Sequence, residues 1–380
     1  MDPSRSSRPT TLLPGRTRRR VLRAGAVSLV AWALLEILAP RPLLSPSPAM
    51  EEAARRMEAA LEVMAEHCRR EGIEVDPGTD PAGTCLVGPE LTPLFTTLGH
   101  LEAKRTTTNP AWAALLAHLL RDGAVGRGDT VAVGASGSFP ALAVATLVAV
   151  EALGAHPRAI LSLGASSYGA TRPDLHLLDL HRLLVEEGVL STPPVAVSPG
   201  GGRDVGAGME EAFLEPLLAE VRASSVPLIL EDDLAANVAR RMEMYGVGEG
   251  EPGRRVSAFV NVGGAWANLG TSSRILRVEP GLHTDLARTV SLPPRKRRGV
   301  LFEMAAQGVP VVHLLYVRGL AERYGLPWDP VPLPRAREQR LANPEAVAGL
   351  PFWLVTAGYV AALTWVVFGV AKPEGGRAVH

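Results

Sequence analysis

Aromatic residues are scarce in this chain, 5% of 380 positions, which leaves little for stacking bases or sugars. Lysine is scarcer: only Lys104, Lys296 and Lys372 stand beside the arginines that make up the rest of the 39 basic residues. Neither sign of charge dominates, because 39 acidic residues balance them, so no global field marks a nucleic-acid binder. Only Cys68 and Cys85 carry thiols, with no Cys-x-x-Cys spacing, which excludes a thiolate zinc site. No metal site is expected, and the sequence names no cofactor. There is no P-loop pattern, so nucleotide-driven polymerisation is not expected here.

What is present is a repeated strand-end pattern. Residues 128–154 read GDTVAVGASGSFPALAVATLVAVEALG. A β-branched run stops at Gly134-Ala135-Ser136-Gly137-Ser138, and a long apolar helical segment follows. Such a turn needs glycine to reverse tightly and to let a ligand approach the backbone. The following helix start offers unpaired N–H groups to an anion or a developing oxyanion. AILSLGASSYGA (159–170), PVAVSPGGGRDVGAG (194–208), SAFVNVGG (257–264) and VPVVHLL (309–315) repeat the motif. In a parallel sheet these loops converge on one edge. The expected fold is α/β, a parallel sheet with helices on both faces. Gly134, Gly137, Ser138, Ser166, Asn261 and Gly263 are candidate ligand-binding positions at its strand ends.

The two ends of the chain differ from the middle. Residues 24–39 are apolar apart from Glu36 and follow an arginine-rich tail over 1–23. Residues 352–371 carry no charge. Both read as transmembrane helices flanking the α/β domain, which is expected over 44–349, with a short tail at 372–380. The arginines place the N-terminus in the cytoplasm and the main domain outside, at the cell membrane. Thr17-Arg18-Arg19-Arg20-Val21-Leu22-Arg23 also resembles a twin-arginine export signal, with Ser47-Pro48-Ala49 as a cleavage point. Either route exports the domain. Residues 50–72 and 111–122 read as helices, 73–110 as irregular chain and 326–345 as a proline-rich connector. Cys68 follows Met57, Leu61 and Met64 at helical spacing, which places it on a buried seam. Whether it pairs with Cys85 stays open.

Several polar groups carry candidate chemistry. Lys104 and Arg105, with the hydroxyl of Thr107 and the amide of Asn109, suit a carboxylate or phosphate. The competing reading is a solvated loop whose Asn109 caps the next helix. Ser136, Asp204 and His313 occur in the chain order of an α/β-hydrolase triad. Ser138 stands where the nucleophile elbow has its final glycine, and His313 sits in an apolar strand, as a core histidine would. The run Arg295-Lys296-Arg297-Arg298 is either a solvated face or a polyanion contact.

GHLEAKRTTTNPAWAALL (99–116), the 128–154 segment, LGASSYGATRP (163–173), GGRDVG (201–206), FVNVGG (259–264), GVPVVHLL (308–315) and YGLPWDP (324–330) together resemble the poly-gamma-glutamate system protein family. That family belongs to bacterial gene cassettes for poly-gamma-glutamate synthesis, a form of capsule biosynthesis. The resemblance implies work beside the membrane-bound synthase complex, in synthesis or export of the polyanionic product. It supplies no reaction. Two classes of function follow. One is an accessory protein that binds the polymer or a precursor at the strand-end loops. The other is a serine-dependent hydrolase or transferase acting on the gamma-glutamyl polymer.

Overall fold

A computed structural model describes residues 15–38, 43–247, 256–344 and 349–368. The chain divides into two compact units, Leu44–Ala342 and the pair of end segments Met1–Leu43 with Asn343–His380.

The larger unit is built on eight strands: β1 (Phe95–Thr97), β2 (Thr130–Ser136), β3 (His156–Ser162), β4 (Ala165–Ser166), β5 (Ala196–Ser198), β6 (Val256–Val262), β7 (Gly281–His283) and β8 (Val311–Leu314). Six of them form one sheet in the order β5-β3-β2-β6-β8-β7, parallel except for the antiparallel edge strand β7. From β2 the chain steps outward to β3 and β5, then returns to the other side of β2 for β6 and β8. The order therefore reverses between β2 and β6, and a crevice opens at such a point.

The sheet is covered on both faces, and the strands show why. Val131, Val133 and Ala135 pack into one apolar cluster while Ala132 packs into the other. Ala258 and Val260 face the first cluster, Phe259 the second. This two-residue alternation sends both sets of side chains into cores, as a doubly covered sheet requires. The first core is closed by the helices Pro48–Glu71, Ala111–Asp122 and Pro140–Ala152. The second is closed by Leu234–Met244 and Val300–Ala306. The helix Pro140–Ala152 is apolar on every side because other helices bury it from above.

Cys68, near the end of Pro48–Glu71, is joined by a disulfide to Cys85. Both are buried, and the bridge ties the loop after that helix back onto it. The expected helix over 111–122 spans Ala111–Asp122. The stretch 73–110, expected as irregular, contains β1 and a short helix, Leu101–Thr107.

The end segments correct the expected architecture. They form helices, Gly15–Leu38 and Leu350–Phe368, but no helix among the described residues is long and apolar enough to cross a membrane. The sequence explains this. The first helix begins inside the arginine-rich tail, so Arg16, Arg18, Arg19, Arg20, Arg23 and Glu36 all fall within its 24 residues. The second carries Pro351, Thr356, Gly358, Tyr359 and Thr364 among its described residues. The two pack against each other, and Ser28 Oγ lies 3.0 Å from Tyr359 OH. Leu29, Trp32, Ile37, Trp353, Leu354 and Trp365 remain exposed. The tail at 372–380 and residues 1–14 lie outside the described residues.

Candidate functional site

A crevice of about 1050 Å³ opens at the carboxyl edge of the sheet, over the β2/β6 reversal. Ser136 at the end of β2, Ser162 at the end of β3, Gly164, Gly200–Gly202 and Gly264–Ala265 form its floor. Residues 96–100 and 102–104, with Trp266, Tyr316, Arg318 and Trp328, line the rest of it. The strand-end loops converge here as their repetition in the sequence predicts.

One wall is set by a two-stranded parallel ribbon. β1 pairs with β4, placing Thr97 opposite Ser166. The chain then passes directly over Ser166 at Gly99. A Cβ there would lie 2.6 Å from Ser167 O and 2.9 Å from Ser166 Oγ, so only glycine fits this crossing. Leu101–Thr107 starts immediately afterwards and brings Lys104 back onto the same serine. Lys104 Nζ donates to Ser166 Oγ at 2.7 Å and to the carbonyl of Ser138. The ring of Phe139 lies 3.7 Å from Nζ. Ser138 Oγ in turn accepts the backbone N–H of Ser166 at 3.0 Å, which fixes the orientation of the pair. No carboxylate lies within ion-pair distance of Lys104 among the described residues, and Lys104 is 2% exposed. Burial without a counter-charge disfavours the ammonium and lowers its pKa to about 7.

The other basic residue of the pair expected to bind an anion together points elsewhere. Arg105 is ion-paired to Asp329 at 2.5 Å and donates to Gly78 O. Its pKa is raised, chiefly by that hydrogen bond to Asp329. Thr107 Oγ1 donates to Lys104 O within its own helix. Asn109 Oδ1 accepts Ala111 N–H at 2.9 Å, and its amide exchanges hydrogen bonds with Gln339. Lys104 thus belongs to the crevice, while Arg105, Thr107 and Asn109 brace the helix start and the connector.

Ser136, Asp204 and His313 do not assemble into a hydrogen-bonded relay. Ser136 Oγ lies 3.5 Å from Val262 O. His313 sits opposite Asn261 in the β6–β8 register, and Asn261 Nδ2 donates to its Nδ1 at 3.1 Å. Burial first, then the neighbouring His283, pushes the imidazole pKa down to about 4, so His313 is a neutral core group. Asn261 also donates to Gly263 O, across the turn that follows β6. Gly263 has φ 80°, and a Cβ there would collide with Ser136 Oγ. Gly134 and Gly137 are held equally close, against the Asn268 side chain and Leu163 O. These glycines shape the floor from beneath; they do not line it.

Asp204 has a different partner from the one its loop suggests. It accepts from Arg241 Nη2 at 2.7 Å, Asn237 Nδ2 at 3.0 Å and Ser198 Oγ at 2.9 Å, all fully buried. Arg241 also donates to Ser162 and Ser198, which face each other across the β3–β5 register. The network pins the glycine-rich loop Gly200–Gly206 beneath the crevice. Arg241 and Asn237 lie on an amphipathic helix with no loop motif, so the sequence offers no sign of them.

Among the described residues, His176, Asp179 and Glu220 bring metal-ligating atoms close together, away from the crevice. Asp179 lies 2.8 Å from His176 Nδ1 and Glu220 lies 3.4 Å from Nε2. Each ring nitrogen of the fully buried His176 faces a carboxylate, but neither makes a hydrogen bond.

Comparison of the chain with family models, with curated proteins and with solved structures finds no match.

Proposed function

We propose that this is an accessory protein of poly-gamma-glutamate biosynthesis or export, which holds the anionic polymer or a precursor in the strand-end crevice. The observation that carries the reading is a cationic rim beside an open site. Thr271 N–H donates to Arg297 O, and Gly270 bridges to Arg298, so the 295–298 run borders the crevice lip at Gly270. Arg295, Lys296 and Arg297 are exposed there. A polymer with one carboxylate per residue meets these charges in succession while its backbone enters the crevice. The partners in this reading are the synthase complex, its polyanionic product and the membrane surface at which they work; nucleic acid is not among them. The Cys68–Cys85 bridge favours a place outside the cytoplasm, where disulfides persist.

Titration of the full chain with gamma-linked polyglutamate tests the proposal. Binding is expected at low ionic strength and should weaken as salt shortens the screening length to about 8 Å at physiological strength. Replacing Arg295 and Lys296 together by alanine should weaken it several-fold. An affinity unchanged in that double variant, or no binding at low salt, overturns the reading.

A further inference from the structure

The contact between Lys104 and Ser166 is more than a packing solution. We propose that Ser166 is an acyl-transfer nucleophile and Lys104 its general base, acting on an amide or ester carbonyl held in the crevice.

Geometry comes first. Nζ and Oγ are 2.7 Å apart, within the range for direct proton transfer, and both residues line the crevice. The pair is oriented on three sides: by the Ser138 carbonyl, by Ser138 Oγ on the Ser166 amide, and by the Phe139 ring. The Gly99 backbone passes close over Ser166, where any side chain would collide with Oγ. A lysine that serves only as a structural cation is normally paired with a carboxylate, and this one is not. Its amine is neutral in a large fraction of molecules near pH 7, which a general base requires. The other titratable groups lining the crevice are His100, Glu102, Tyr316 and Arg318, and none has an ion pair with Nζ.

The chemistry balances without a metal or redox partner. Neutral Nζ accepts the Ser166 hydroxyl proton as Oγ bonds to the carbonyl carbon. The tetrahedral adduct collapses, the carbon–nitrogen bond of an amide breaks, and the ammonium returns the proton to the leaving amine. Water then attacks the acyl-serine ester while Nζ takes one of its protons. The ester carbon–oxygen bond breaks, Oγ regains a proton from Nζ, and a carboxylic acid departs. One water is consumed for each amide cleaved. Another amine in place of that water would make the same dyad a transferase.

The dyad stands on its own geometry, whereas the gamma-linked amide as its substrate rests on the function proposed above. The two are tested apart. The full chain is treated with a fluorophosphonate probe, and the labelled peptide is identified by mass. Labelling at Ser166 is expected, with a rate rising about tenfold from pH 6 to pH 8 as Lys104 loses its proton. Ser166→Ala should abolish the label. Lys104→Met and Lys104→Arg should slow it at least tenfold and remove its pH dependence, with thermal melting confirming that each variant is folded. Absence of labelling in the parent, or a label that survives Ser166→Ala, overturns the dyad. So does a rate unchanged in a folded Lys104 variant. Polyglutamate binding without labelling would leave the binding function standing and remove the dyad. Labelling at Ser166 without release of glutamate from the polymer would leave the dyad and remove that substrate.

Discussion

Among the described residues two cations, Arg241 and Lys104, are buried, and they are treated in opposite ways. Arg241 is fully enclosed and meets Asp204, Asn237, Ser162 and Ser198. Lys104 is almost as deeply buried and meets only a serine hydroxyl, a carbonyl and an aromatic face. The first arrangement pairs the charge with Asp204 and fixes β3, β5 and the glycine-rich loop in place, although Nη1 has no hydrogen-bond partner. The second leaves the charge poorly supported, at the wall of an open crevice. A buried ion pair organises structure, and an unpaired buried amine is a group whose proton is easily given up.

The largest effect should come from breaking the organised side. Arg241→Ala leaves the Asp204 carboxylate buried without its counter-charge and should cost about 3–5 kcal/mol of unfolding free energy, measured by urea denaturation. A loss below about 1 kcal/mol would mean that the network is not what holds the loop.

The next test sharpens the contrast through pH. Lys104 has a folded pKa near 7, below its unfolded value of 10.5. Between these values the unfolded chain holds the extra proton, so stability should rise with pH across this window. The slope is bounded by about 1.4 kcal/mol per pH unit. Below pH 7 both states are protonated and the slope from this group vanishes. Lys104→Met should flatten the curve between pH 7 and 10, and an unchanged curve would show that the amine is not perturbed.

The smallest effect concerns His313, a buried base that has a hydrogen-bond partner. Its folded pKa near 4 lies below the unfolded 6.5, so its contribution to stability is lost as pH falls from 6.5 toward 4. His313→Gln should soften that acid limb. It should leave labelling of Ser166 within about twofold, because the imidazole takes no part in the proposed proton transfer. A tenfold loss of labelling would restore a role for the histidine.

The sequence shows the outline of the site more clearly than its contents. Gly-Ala-Ser closing β2 and again following β3, and Gly-Gly-Gly after β5, are visible because the sheet edge there demands small residues. The doubly covered sheet is visible because its strands are continuous apolar runs. The Ser136–Asp204–His313 order fails because order along a chain does not set direction. Strand register places Asn261 beside His313, and a helix far along the chain supplies the partner of Asp204. The Lys104–Ser166 contact depends on how β1 pairs with β4, two strands of three and two residues that carry almost no periodic signal. The edge strand Gly281–His283 is equally short and was not legible for the same reason. At the chain ends, hydrophobic runs suggested membrane spans, yet the arginines share the first helix and polar residues interrupt the second.

The clasp between Arg105 and Asp329 has a consequence for when the crevice exists. Asp329 also accepts Arg105 Nε at 2.6 Å, and its own N–H donates to Thr106 Oγ1. The neighbouring Trp328 also lines the crevice. Gln339, ten residues beyond Asp329, fastens the same stretch to Asn109. Chain emerging from a ribosome supplies lining residues from Ser136 through Gly264 to Trp328, and the stretch holding Trp328 is fastened only after residue 339 is made. The nascent protein therefore passes nearly half of its synthesis with Lys104 and Ser166 in an unfinished pocket, and the completed crevice belongs only to a nearly finished chain.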